Sequence, residues 1–269
     1  MIDLHAHILP GIDDGPQSLE GSLALARAAV ECGTHLVIAT PHLRDDHPGV
    51  RLEEIGDRTR ALGAALARED IPLRVLPGAE VDLLWASNAS EAELRMGTYG
   101  QRGTDMLLET PYGNLPPNFN ELVLRIAEQG IRILLAHPER SLTFQQHPQR
   151  LLELVARGVL VQVTALSLAR KNRRSESRRL ARWLLEEGAA HVIASDAHAA
   201  GLWRGPDRGA AIASAEAISP AHAEWMLLEV PRAIIAGEPV PPMPSRGRGP
   251  LKRLSKGLAL RRALDVRLG

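Results

Sequence analysis

The chain has 269 residues, 45 % of them apolar but only 3 % aromatic, so its length allows a large core that must be built mainly from Leu, Ile, Val and Ala. The formal net charge of zero hides an uneven distribution: from Arg246 onward eight basic residues face a single acid, Asp265, which leaves residues 1–245 acidic and unsuited to a polyanionic nucleic-acid partner. A lone Cys32 excludes an intramolecular disulfide, no basic and apolar leader precedes His5, and no run nears the roughly 18 apolar residues of a membrane span, so a soluble, cytoplasmic protein is expected.

In chain order, the first short apolar run carries His5 and His7, followed by Asp13 and Asp14. Residues two apart on a strand share a face, so both imidazoles can meet one point, and imidazole with carboxylate suits a divalent transition metal. Ser18 is the expected N-cap of a helix through Leu23, Ala26, Ala29 and Val30 that stops at Gly33. Residues 36–39 read as a buried strand with His42 just beyond it. A helix over 51–70 has its apolar stripe at Ile55, Leu62, Ala65 and Leu66, and the strand 73–76 leads through Pro77-Gly78-Ala79 to Glu80. Residues 81–100 are irregular, reading as a short helix and a turn. The strand 105–108 exits at Glu109. A helix opened by Pro116, Pro117 and Asn118 runs to Gly130, and the strand 131–136 exits at His137. Helix 151–157 precedes strand 159–163, and helix 175–187 precedes strand 191–195, which exits at Asp196 and His198. Helices are expected from there to Gly237.

About seven short buried strands alternating with amphipathic helices predict an α/β fold with parallel strands, closed or nearly closed into a barrel. In such a fold the loops after the strands converge at their carboxyl ends. His5, His7, His42, Glu80, Glu109, His137, Asp196 and His198 all lie at predicted strand exits, so the topology gathers them. The other five histidines, His35, His47, His147, His191 and His222, fall elsewhere and are read as structural. Asp13 and Asp14 compete for one further ligand position, the other capping the turn.

These motifs resemble the polymerase and histidinol phosphatase (PHP) superfamily. More narrowly, residues 3–16, Ala39-Thr-Pro-His42, Val75-Leu-Pro-Gly-Ala-Glu80, Ala136-His-Pro-Glu-Arg140 and Val192-Ile-Ala-Ser-Asp-Ala-His198 resemble the bacterial manganese-dependent protein-tyrosine phosphatases of capsule and exopolysaccharide operons, the CpsB/YwqE type. The resemblance covers roughly residues 1–240. It implies a distorted seven-stranded (β/α) barrel of the PHP type and three divalent metal ions, manganese first, with cobalt, iron or zinc as alternatives. Carried over by position, the ligands are His5, His7, Asp14, His42, Glu80, Glu109, His137, Asp196 and His198, with Glu80 bridging two metals. Two positions depart from the pattern: Glu109 is followed by Thr110-Pro111 where many relatives have an aromatic residue before the proline, and Ala199 replaces a common asparagine. Both departures leave the ligands in place.

Three divalent ions among four carboxylates leave about +2, a centre suited to a phosphate dianion. Arg140, three residues past His137, and Arg204, six past His198, are placed to bind a phosphoryl group, with Arg44 a weaker candidate. The expected activity is hydrolysis of phosphotyrosine on a cognate bacterial tyrosine kinase that controls polysaccharide production. The alternatives are a small-molecule phosphomonoesterase such as a histidinol-phosphate phosphatase, or a non-catalytic phosphotyrosine-binding regulator. The expected domain is residues 1–238, followed by a Pro-rich linker and basic tail over 239–269. In the tail, leucines from Leu251 to Leu264 recur among Lys and Arg near helical spacing, a pattern suited to an anionic membrane surface or an acidic kinase segment. The oligomeric state is not legible in the sequence.

Overall fold

A computed structural model describes residues 1–169, 175–201 and 204–245. The basic tail, where leucines from Leu251 to Leu264 recur near helical spacing, therefore lies outside the described residues. Nine parallel strand segments are described: β1 (Ile2–Ala6), β2 (Leu36–Ala39), β3 (His42–Leu43), β4 (Arg74–Pro77), β5 (Glu80–Val81), β6 (Asp105–Glu109), β7 (Arg132–Ala136), β8 (Leu160–Thr164) and β9 (Val192–Ala194). They form two sheets, in the orders β1-β2-β4 and β3-β5-β6-β7-β8-β9.

The α/β class and the parallel pairing follow the sequence expectation, but a continuous ladder closing one seven-stranded barrel is not found. Two expected strands, 36–39 and 73–76, are each followed after a short break by a second strand segment that the sequence did not suggest. Between β2 and β3 lie Thr40 and Pro41, and Pro41 has no N–H to donate to a ladder. Between β4 and β5 the chain passes Gly78, where a Cβ would stand 2.8 Å from Ile38 Cγ2 and 3.1 Å from the Tyr99 ring, so only glycine lets the strand approach so closely. Each break transfers the chain from the first sheet to the second. The far edges are linked by backbone bonds instead of a full ladder: His7 N donates to Ala197 O at 2.8 Å and Asp196 N to His5 O at 2.9 Å.

Local chemistry explains the crossover helices. The helix Leu19–Glu31 starts where Ser18 accepts from Gly21 N, and the chain leaves it through Gly33 in the left-handed region at φ 80°. Residues 81–100, unplaced from the sequence beyond a short helix and a turn, contain the helices Leu83–Asn88 and Glu91–Met96. Asp82 caps the first, and a reciprocal Ser90–Glu93 capping box starts the second. The core is aliphatic as the composition requires, with Phe119 and Phe144 meeting edge to face at 5.7 Å.

At the other end of the chain, Pro239 to Pro244 is not a free linker. Arg132 donates to Glu238 O at 2.7 Å and Trp225 Nε1 to Pro241 O at 2.9 Å, while Val240 and Met243 pack against the core.

One histidine away from the strand exits gives the fold a pH dependence. His191 accepts a hydrogen bond from Val161 N at its Nδ1 (3.1 Å), and burial pulls its pKa from 6.5 to about 4. A depressed folded pKa means that the contribution is complete above pH 6.5 and is lost as pH falls toward 4. Between pH 7 and 5 the loss amounts to at most about 2 kcal/mol. Urea unfolding at these two pH values should therefore show a smaller acid loss for His191→Gln than for the wild type, and equal losses would refute the assignment.

Candidate metal centre

The segments at β1, β3, β5, β6, β7 and β9 each bring one or two polar side chains to the same point. All nine residues expected from the sequence come together there, and among the described residues they make four overlapping donor groups: His7, Asp14, His42 and His198; His5, His7 and Asp196; His5, Glu80 and His137; and His42, Glu80 and Glu109. The rungs explain the convergence. His42 pairs with Glu80 in register, and Glu109 lies one rung beyond the pairing of β5 with β6.

Glu80 is fully buried and touches four imidazoles: His137 Nε2 at 2.8 Å, His42 Nδ1 at 3.1 Å, His5 Nε2 at 3.2 Å and His7 Nε2 at 3.3 Å. His5 Nε2 and His7 Nε2 also lie 3.4 and 3.6 Å from Asp196 Oδ1. A tetrahedral ion with ligands at about 2.1 Å has ligand–ligand edges of about 3.4 Å, so these separations fit a metal ion at their centre. Buried His42 Nδ1 and Glu80 Oε2 face one another without forming a hydrogen bond, leaving both lone pairs for a cation.

A supporting layer aims the imidazoles. His5 Nδ1 lies 3.0 Å from Gln162 Oε1 and His7 Nδ1 2.7 Å from Asp13 Oδ2, so both rings turn Nε2 inward. Asp13 also accepts from Gly15 N and His42 N. It is this aspartate that holds the turn, while Asp14 Oδ1 faces His198 Nε2 at 3.1 Å and His42 Nε2 at 3.5 Å. Gly15 is obligatory, since a Cβ there would sit 2.5 Å from His7 O. His137 (φ 37°) and Asp196 (φ 54°) adopt left-handed backbone that non-glycine residues rarely take, a strain typical of chemically active positions.

Electrostatics prepare the ligands unequally. Burial, then repulsion from His7, holds His42 at about 3, hence neutral and ready to coordinate. Against opposing burial, Glu80 and Asp196 raise His5, while Asp13 and Glu80 raise His7. Burial and the charge of Glu80 push Glu109 up to about 8. Metal entering the cluster must displace protons, so its affinity rises with pH.

The three arginines named from the sequence ring the cluster. Arg140 lies 2.7 Å from Asp196 Oδ2, Arg204 2.8 Å from Asp14 Oδ2, and Arg44 3.2 Å from both Glu109 oxygens. Arg140 does not pair with Glu139, whose Oε1 instead accepts from Thr164 N and Ser167 Oγ. With these arginines, Tyr112 and His47 line a cleft of about 580 Å³ over the donor cluster. His47, read from the sequence as structural, stacks on His42 with ring centres 4.9 Å apart. Gln162 and Tyr112 had no assigned role in the sequence, and Asp13, read there as the competitor of Asp14 or the cap of the turn, also supports His7. For Tyr112 the signal was its position three residues beyond Glu109, and for Gln162 it was a polar side chain inside an apolar strand.

Residues 1–235 match the family model described as capsular polysaccharide synthesis, CpsB/CapC. The tyrosine-protein phosphatase YwqE of Bacillus subtilis is 35 % identical over 204 residues, covering 74 % of this chain and 77 % of that protein. The tyrosine-protein phosphatase CpsB of Streptococcus pneumoniae is 25 % identical over 208 residues, covering 74 % of this chain and 83 % of the relative. Among solved structures, one described with YwqE from Bacillus subtilis and CpsB from Streptococcus pneumoniae as metal-dependent tyrosine phosphatases superimposes with a TM-score of 0.79. It is 30 % identical and covers 92 % of this chain and all of its own.

Proposed function

Because the chain belongs to the CpsB/CapC family of capsular polysaccharide synthesis, we propose that its nine-residue centre hydrolyses phosphotyrosine on a cognate bacterial tyrosine kinase in the cytoplasm. The enzyme is a metal-dependent tyrosine phosphatase. The observation that carries the reading is the position of Glu80 among four imidazoles, where it is shared by two of the overlapping donor groups. The loading we propose is three divalent ions, manganese first, within a single distorted barrel formed by the two sheets together.

Bound metal ions would neutralise phosphoryl oxygens and lower the pKa of water toward about 7. The chain's own residues do the rest. Glu80 holds the donor groups in a common frame, and Asp13 and Gln162 fix the tautomers of His7 and His5. Arg140 and Arg204, each already set against a carboxylate of the cluster, present planar cations to the phosphoryl oxygens from the cleft. Cys32, half-buried at the C-cap of the helix Leu19–Glu31, is not among the residues lining the cleft and has no part in the proposed reaction.

The reading is tested by comparing kcat/KM for a phosphotyrosine peptide, a phosphoserine peptide and histidinol phosphate with manganese present. Phosphotyrosine should lead by a wide margin. A lead for histidinol phosphate would transfer the protein to small-molecule metabolism, and binding of the peptide without turnover would make it a regulator.

Residues 239–269 are proposed to be dispensable for chemistry, although their first part docks on the body through Pro241 O. The informative truncation is therefore after Ser245. It should leave aryl-phosphate turnover intact and weaken binding to anionic vesicles or to the kinase, most visibly at low salt, where the charge of the tail is unscreened. Loss of small-substrate turnover would show that the tail belongs to the catalytic unit.

A further inference from the structure

Phosphoryl binding does not account for one wall of the cleft. Tyr112 is 49 % exposed, in a protein with only two tyrosines and two phenylalanines. A large aromatic side chain needed for packing alone would be hidden. Tyr112 is nevertheless held firmly. Its ring stacks on His137 with centres 5.4 Å apart, its hydroxyl accepts from Arg140 at 3.1 Å, and its backbone carbonyl accepts from Leu142 N at 3.1 Å. Among the described residues it is the only Phe, Tyr or Trp lining the cleft.

Resting on the phosphatase reading, we propose that the exposed ring of Tyr112 recognises the aryl group of the substrate and makes the site prefer aromatic over alkyl phosphomonoesters. The same Arg140 nitrogen lies 2.7 Å from Asp196 and 3.1 Å from the Tyr112 hydroxyl, so the ring stands directly beside the group that takes the phosphoryl oxygens. An ester held by Arg140 brings its first ring alongside Tyr112. Arg44, His47 and Glu109 make the other sides of the cleft polar, which leaves the Tyr112 ring as its aromatic face. A ring already fixed on one face loses little freedom when a second ring packs against it.

Calorimetry on the full-length, manganese-loaded protein would test this with phenylphosphonate and cyclohexylphosphonate, at a pH alkaline enough for both to be dianions, so that they differ in the ring alone. The wild type should bind the phenyl compound about threefold to tenfold more tightly. Tyr112→Phe should keep that ratio, since it retains the ring, and Tyr112→Leu should bring it to near one. No phenyl preference in the wild type, or a preference that survives in Tyr112→Leu, would overturn the proposal. Tyr112→Gln serves as a second ring-less variant, in which the ratio should likewise fall to near one and in which a surviving preference would overturn the proposal. Phosphotyrosine turnover is measured separately, so a wild type that prefers phenylphosphonate but lacks turnover counts against the phosphatase reading alone.

Discussion

Glu80→Gln is expected to lower phosphatase turnover by more than about 100-fold, a larger loss than the 10- to 100-fold typical of groups one step removed from a metal. The change keeps the shape of the side chain and deletes its charge, and Glu80 is the one carboxylate in contact with His5, His7, His42 and His137 together. Gln162→Leu provides the internal comparison. Gln162 touches His5 only through Nδ1, so its loss should fall within the 10- to 100-fold range. Circular dichroism should show both variants folded, since the aliphatic core lies below the cluster. Equal, small effects of the two changes would mean that Glu80 is a buried structural acid.

Arg140→Ala carries the second large effect. A preorganised cation facing developing phosphoryl charge is worth about 10²- to 10³-fold in kcat. The loss should be similar for a phosphotyrosine peptide and a small aryl phosphate, because both present the same phosphoryl group. A defect confined to the peptide would place Arg140 in recognition of the substrate chain. Unchanged kinetics on both would reduce it to the partner of Asp196 seen at 2.7 Å.

The donor cluster was legible in the sequence because parallel strands joined by crossover helices bring their exits together and so leave local marks. Acidic and imidazole residues follow short apolar runs, and the fold gathers the eight side chains so identified together with Asp14, which only the family resemblance had singled out. Helix ends were legible for the same reason, since Ser18 and Gly33 act within a few residues of themselves. What escaped depends on distant neighbours. The break between β4 and β5 is set by Ile38 and Tyr99 crowding Gly78, and neither lies near it in sequence. His47 earns its place in the cleft by stacking on His42, and Tyr112 by leaning on His137, so neither position follows from periodicity. The division between Asp13 and Asp14 is likewise a matter of orientation: one turns to His7 Nδ1 and the other to His198 Nε2.

Metal content and turnover measured on the same protein sample test the central claim most directly. The protein is chelated exhaustively and assayed with an aryl phosphate, then titrated with manganese, cobalt or magnesium while bound metal is quantified. Five imidazoles among nine donors favour transition ions, so activity should vanish on chelation and return with manganese or cobalt before magnesium, in step with metal bound. Full turnover by a protein shown to contain no metal would contradict the account.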